Sequence, residues 1–301
     1  MCHFQKIVVP LSMSEADAGL LRYAALVTEL GVTSEVRFVH VITPVRGQAS
    51  SLTADDVRIK MEIAVNQHFG AASEDVHVEC HVVEGTRIDQ LVEFSNTHAA
   101  DLILLGHRKA RTGRRSLAQR LAMIASASVW LVPEDSPKRL SRILAPIDFS
   151  DYSADSLGMA TALARLQGLD SIDALHVFFD PLAIRYDERV DEIRGREQQE
   201  FKEFLARVNA HGIQVDPTFM ECNVPAEAIL RRAEQTKVDL IVMSTRGRSP
   251  AAAILLGSAT AQIIAESPIP VLAVKHFGAH LNFFEALKAS RFWARENAQT
   301  N

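Results

Sequence analysis

Cysteine is nearly absent from this chain of 301 residues. Cys2, Cys80 and Cys222 form an odd total with no CxxC pair, which excludes a disulfide framework and a thiolate zinc site and fits a reducing compartment. Long apolar runs are missing too. No stretch approaches the roughly 18 uncharged apolar residues of a membrane span, and the run from Ile7 to Leu11 is too short for a signal peptide, so no membrane partner is expected and the cytoplasm is the default location. Positive charge is not in excess. The formal net charge is -5, and the basic run from Arg108 to Arg120 is too local to overcome it, so nucleic acid is not expected as a partner. Catalytic signatures are lacking as well: there is no G-x-S-x-G, H-E-x-x-H or G-x-x-x-x-G-K-S/T. His68, His77, His81 and His98 have no metal-ligand spacing with a carboxylate.

What is present is a duplication. At about 150 residues per domain the length suggests two domains, and a hydrophobic content of 48% with 23% charged residues is an ordinary globular mix. Lys6-Ile7-Val8-Val9-Pro10-Leu11-Ser12 matches Arg142-Ile143-Leu144-Ala145-Pro146-Ile147-Asp148 at an offset of 136, and His40-Val41 matches His176-Val177 at the same offset. Further on, Asp101 to Leu105 matches Asp239 to Met243 at an offset of 138, and Val129 to Val132 matches Val271 to Val274 at 142. The last step places four extra residues in the second half, between Met243 and Val271.

Both halves alternate short β-branched apolar runs with segments whose apolar residues recur three and four apart, the signature of strands alternating with helices in a parallel sheet. The second half predicts strands near 142–147, 172–178, 213–220, 239–244 and 269–274, and helices near 151–167, 184–211, 225–237 and 257–266. Ser150 is placed to cap the first of these helices, Pro225 occupies a first-turn position, and Gly212 stands as a stop after the long helix. Thr53 and Asp56 are placed as a cap in the first half. An open doubly wound sheet follows, with ligands expected beyond the carboxyl ends of the first and fourth strands of each half.

Beyond the fourth strand of the second half the sequence reads Ser244-Thr245-Arg246-Gly247, nine residues, then Gly257-Ser258. Glycine lets the backbone approach phosphate oxygens because no Cβ intervenes, and a helix start supplies unpaired amides and a positive dipole end. Arg246 and Arg248 lie in the same loop and carry charge that suits phosphate.

With the strand-end Asp148 and the His176-Val177 pair, this pattern resembles the universal stress protein family, over residues 4–132 and 142–275. The resemblance implies two tandem Rossmann-like, adenine nucleotide alpha hydrolase-like domains: open five-stranded parallel sheets with helices on both faces. It implies that Gly247, Gly257 and Ser258 form a phosphate loop, that Asp148 lies near the adenosine and Val177 touches adenine, and that ATP, with magnesium near Asp148, is the ligand. Ser244 departs from the pattern by standing where the family has its first glycine.

The first half departs further. Ser12 replaces Asp148, Lys109 replaces Gly247, Arg115 replaces Gly257, and four loop residues are missing, so its phosphate loop is broken. The expected organisation is domain 1 over 1–132, a linker from Pro133 to Leu140, domain 2 over 141–275, and a tail over 276–301 whose Asn282 would cap a helix with an apolar strip of Phe283, Phe284, Leu287 and Phe292. The expected function is stress-linked regulation through ATP binding in the second domain, rather than catalysis. A ligand-free interaction protein and a slow ATPase stand as alternatives. The last strands, Val129 to Val132 and Val271 to Val274, are expected at sheet edges, which predicts an intramolecular pseudo-dimer with room for homodimerisation.

Overall fold

The computed structural model describes residues 4–30, 33–44, 53–70, 76–107, 115–136, 139–179, 188–247 and 256–275, with the backbone alone over 188–194. Arg248, Lys109 and the whole 276–301 tail lie outside the described residues.

The first half runs β1 (Lys6–Pro10), α1 (Asp17–Thr28), β2 (Glu35–Ile42), α2 (Ala54–His68), β3 (His77–Glu84), α3 (Arg87–Thr97), β4 (Leu102–His107), α4 (Leu117–Ile124) and β5 (Ser128–Pro133). The second repeats the order: β6 (Ile143–Ile147), α5 (Asp151–Leu166), β7 (Ser171–Phe178), α6 (Glu188–Leu205), β8 (Gln214–Glu221), α7 (Pro225–Thr236), β9 (Leu240–Ser244), α8 (Ser258–Glu266) and β10 (Val271–Val274). Local chemistry sets several of these starts. Thr53 Oγ1 accepts from Asp56 N at 3.1 Å while Asp56 Oδ2 accepts from Thr53 N at 2.9 Å, a reciprocal cap on α2. Ser150 Oγ accepts from Ser153 N at 3.2 Å to open α5, and Pro225 sits in the first turn of α7. One stop falls elsewhere than the sequence suggests. Helix α6 ends at Leu205 rather than near 211, and Gly212, at φ +79°, follows His211, at φ +53°, in the turn that leads into β8.

The sheet order is β3-β2-β1-β4-β5-β10-β9-β6-β7-β8. Within each half every pairing is parallel. The halves meet where β5 and β10 pair antiparallel, with Leu272 opposite Trp130 and Ala273 opposite Val129.

Strand residues alternate between two cores, one on each face. Ile7, Val9, Trp130, Ala145 and Leu272 share the face covered by α1, α2, α5 and α6. Val8, Val129, Leu144 and Ala273 share the opposite face with α3, α4, α7 and α8. Each core therefore runs unbroken across the seam. Trp130, fully buried, packs against Phe4 at 6.1 Å and Tyr23 at 5.9 Å between ring centroids. On the opposite face, Gln119 of α4 donates its Nε2 to Ala261 O of α8 at 2.8 Å, tying the two loop helices together.

Candidate functional site

In both halves the chain leaving the first strand turns sharply through a non-glycine residue at positive φ, Met13 at +61° and Phe149 at +63°. A side chain in that region costs about 1 kcal/mol, and the cost is offset here by packing: the Phe149 ring stacks on His176 at 4.2 Å and meets Phe204 at 5.5 Å. His176 is fixed in turn. Its Nδ1 donates to Ile147 O at 2.9 Å, as His40 Nδ1 donates to Leu11 O at 2.9 Å, so the repeated histidine locks the end of the first strand to the second in each half.

This turn places Asp148 at the mouth of a cleft of about 440 Å³ that Val177, Phe179, Glu197 and Glu200 also line. Oδ1 of Asp148 accepts from Ser150 N at 3.1 Å and from Ser150 Oγ at 2.5 Å, which orients the carboxylate. Its Oδ2 lies 3.1 Å from the position a Cβ on Gly247 would occupy, so the loop after β9 passes directly over the acid and only glycine fits without a shift. Neither Gly247 nor Gly257 takes a left-handed φ. Glycine is required at 247 by space, not by conformation.

The two ends of the loop are drawn together. Gly257 N donates to Thr245 O at 2.9 Å, and a Cβ on Gly257 would stand 3.8 Å from Gly247 N. Thr260 Oγ1 donates to Ser244 O at 2.9 Å, and the Ser244 hydroxyl donates to the Arg246 carbonyl. Ser244 itself has no positive φ, so the serine in the first glycine position is unstrained and adds a tie that glycine lacks. The guanidinium of Arg246 lies over the Tyr152 ring, 5.9 Å from its centroid. Lys275, just after β10, donates its Nζ to Met123 O of the first half at 3.1 Å. Burial, and then the nearby Arg246 cation, push its ammonium down to about 8.

The starts of the two loop helices differ. α8 opens on Gly257 with no side-chain cap, and Ser258, its first residue, is exposed. α4 opens on Ser116, whose Oγ accepts from Gln119 N at 3.2 Å while Ser116 N donates to Gln119 Oε1 at 2.8 Å. Side chains thus engage the Ser116 and Gln119 amides at α4, whereas at α8 no side chain caps the helix and the Gly257 amide is held by the Thr245 carbonyl.

The first half also holds its acid in a different place. Asp17, the counterpart of Ser153 at the offset of 136, accepts from Ser12 N at 3.1 Å and Ser12 Oγ at 2.9 Å through Oδ1, and from Ser14 N at 3.2 Å through Oδ2. In the second half the same pair is inverted, with Asp148 N directed at Ser153 Oγ at 3.4 Å. The first half therefore carries its carboxylate in α1, tied to the amides of Ser12 and Ser14, where the second half carries one at the strand end.

Of the residues singled out from the sequence, Asp148, Val177, Ser244, Arg246, Gly247, Gly257 and Ser258 fall at the carboxyl ends of β6, β7 and β9 or the start of α8. Sequence reasoning missed Glu197. It is buried on α6, its Oε2 lies 3.2 Å from His176 Nε2, and Arg196 donates to its Oε1 at 3.3 Å. The available signal was its place four residues before Phe201, in line with the apolar stripe of that helix.

The universal stress protein family model matches residues 3–133 and again 140–275. A universal stress protein of Thermus aquaticus is 31% identical over 144 residues, covering 44% of this chain and 97% of that protein. One from Methanocaldococcus jannaschii is 32% identical over 139 residues, covering 44% of this chain and 81% of its own length. The crystal structure of a universal stress protein from Archaeoglobus fulgidus superposes with a TM-score of 0.64 at 22% identity, over 90% of this chain and 98% of that one, which is a likeness of fold. With both halves matched and the sheet doubled end to end, the chain belongs to the universal stress protein family.

Proposed function

We propose that this chain is a regulatory protein that binds an adenine nucleotide, ATP with magnesium, in its second domain (141–275), while the first domain (1–132) serves as a partner fold whose phosphate loop no longer operates. The observation that carries the reading is the start of α8: a helix end without a side-chain cap, opening on Gly257, beside Gly247 and Asp148. The amides of α8, with the Ser258 hydroxyl and the charges of Arg246 and Arg248, would take the phosphates. Asp148 would take the ribose side and Val177 the base. Magnesium would come coordinated to the phosphates, since that ion keeps most of its ligands from water and nucleotide and needs at most one or two protein carboxylates. Among the described residues there is no cluster of three or more histidine, cysteine or carboxylate side chains able to hold a metal alone.

Calorimetry with ATP, with and without magnesium, tests the reading. Binding to the natural chain and weaker binding to Asp148→Asn are expected; no heat and no thermal shift at about millimolar ATP would sink it. Turnover assays on the same samples separate binding from catalysis, and a hydrolysis rate that falls with Asp148→Asn would favour a slow ATPase instead.

A further inference from the structure

The clefts beyond β1 and β6 are built in register but carry opposite charge. The second-half cleft is lined by three carboxylates, Asp148, Glu197 and Glu200, against one guanidinium, Arg196. In the first-half cleft, also about 440 Å³, Ser12 stands for Asp148 at the offset of 136, and α2 contributes Val57 and Lys60 where α6 contributes Arg196, Glu197 and Glu200. Arg87, the first residue of α3, adds a second cation, and among the described residues no carboxylate lines this cleft. Asp17 and Glu134 line the adjoining cleft of about 380 Å³, where the Asp17 oxygens are engaged by Ser12 and Ser14. The floor is apolar, with Val41 and Val57 both buried.

A pocket of this size falls within the range of small-molecule sites, roughly 300 to 1,000 Å³, which combine apolar walls with a few polar groups that fix orientation. Among the described residues its full charges are a guanidinium and an ammonium, which select an oxyanion through charge-assisted hydrogen bonds. At the start of α4 Ser116 and Gln119 cap each other, and among the described residues that line the cleft Arg87 and Lys60 are the cations able to grip an anion.

We propose that the first-half cleft binds a small organic oxyanion, a carboxylate or a phosphate on a compact apolar body, without a divalent cation: Arg87 and Lys60 hold the oxyanion, and Val41 and Val57 hold the body. The proposal stands whether or not the second half binds nucleotide.

Calorimetry on the full chain in a metal chelator tests it with phenyl phosphate, phenylacetate and neutral benzyl alcohol. At least one of the two anions should bind, and which one distinguishes a phosphate from a carboxylate site. Lys60→Gln with Arg87→Gln should weaken it by at least about tenfold, about 1.4 kcal/mol. Arg58→Gln, which removes an exposed α2 cation outside the cleft, should leave it unchanged, and Arg87→Lys should retain part of the binding. Lys60 and Arg87 are exposed, and circular dichroism verifies that the double variant folds. Binding of neither anion, equal binding of benzyl alcohol, or undiminished binding by the double variant overturns the proposal.

Discussion

Asp148 stands close against Gly247: the Oδ2 of the acid lies 3.1 Å from where a Cβ on the glycine would be. Because the glycine backbone has no left-handed φ, alanine can adopt its conformation but must displace the carboxylate or the loop. Gly247→Ala is therefore expected to fold, to lose no more than about 1 kcal/mol in urea denaturation, and to bind ATP at least about tenfold more weakly by calorimetry. Unchanged affinity would show that the contact is irrelevant to the ligand.

Ser244 gives the converse test. Its hydroxyl ties down the Arg246 carbonyl and its backbone is unstrained, so restoring the family's glycine removes a hydrogen bond and relieves nothing. Ser244→Gly is expected to destabilise the chain by about 1 kcal/mol and not to tighten ATP binding. A tighter complex would mean that the bound loop needs a left-handed residue at 244.

The seam between the halves makes a third prediction. Trp130 is fully buried opposite Leu272, in a core that continues from one half into the other. Trp130→Ala should cost about 3–5 kcal/mol and lower the unfolding midpoint of the whole chain in one transition, followed by circular dichroism. Two separated transitions would show that the halves fold independently of their shared core.

Lys275 predicts a pH dependence. Its ammonium is pushed down to about 8 from an ordinary 10.5, by burial first and by Arg246 second. Between those values the unfolded chain holds more protons than the folded one, so stability rises as pH climbs from about 8 to about 10.5 and is flat with respect to this group below and above. Urea midpoints across that window should show the rise in the natural chain and its loss in Lys275→Met.

Much of this was readable in the order of residues. The offsets of 136, 138 and 142 exposed the duplication because each half must place the same strand ends around the same kind of cleft. Caps at Thr53 and Ser150 and the first-turn Pro225 were legible because they act within three or four residues of themselves. Glu197 was not, because its partner His176 lies 21 positions away on another element. The role of Asp17 in the first half was hidden for a related reason: it appears only once Ser12 and Asp17 are seen to face each other.

The sequence by itself determined the repeat, the strand-helix alternation and the presence of the Gly247 and Gly257-Ser258 pattern in the second half only, since these rest on local periodicity and residue type. Only the tertiary structure decided that β5 and β10, expected at sheet edges, pair antiparallel with Leu272 opposite Trp130, and that α4 is capped by its own side chains while α8 is not. It alone brought Asp148 against Gly247, 99 positions away, and set a cationic cleft against an acidic one. Those relations depend on which distant groups share a few ångströms of space, and no spacing along the chain encodes that.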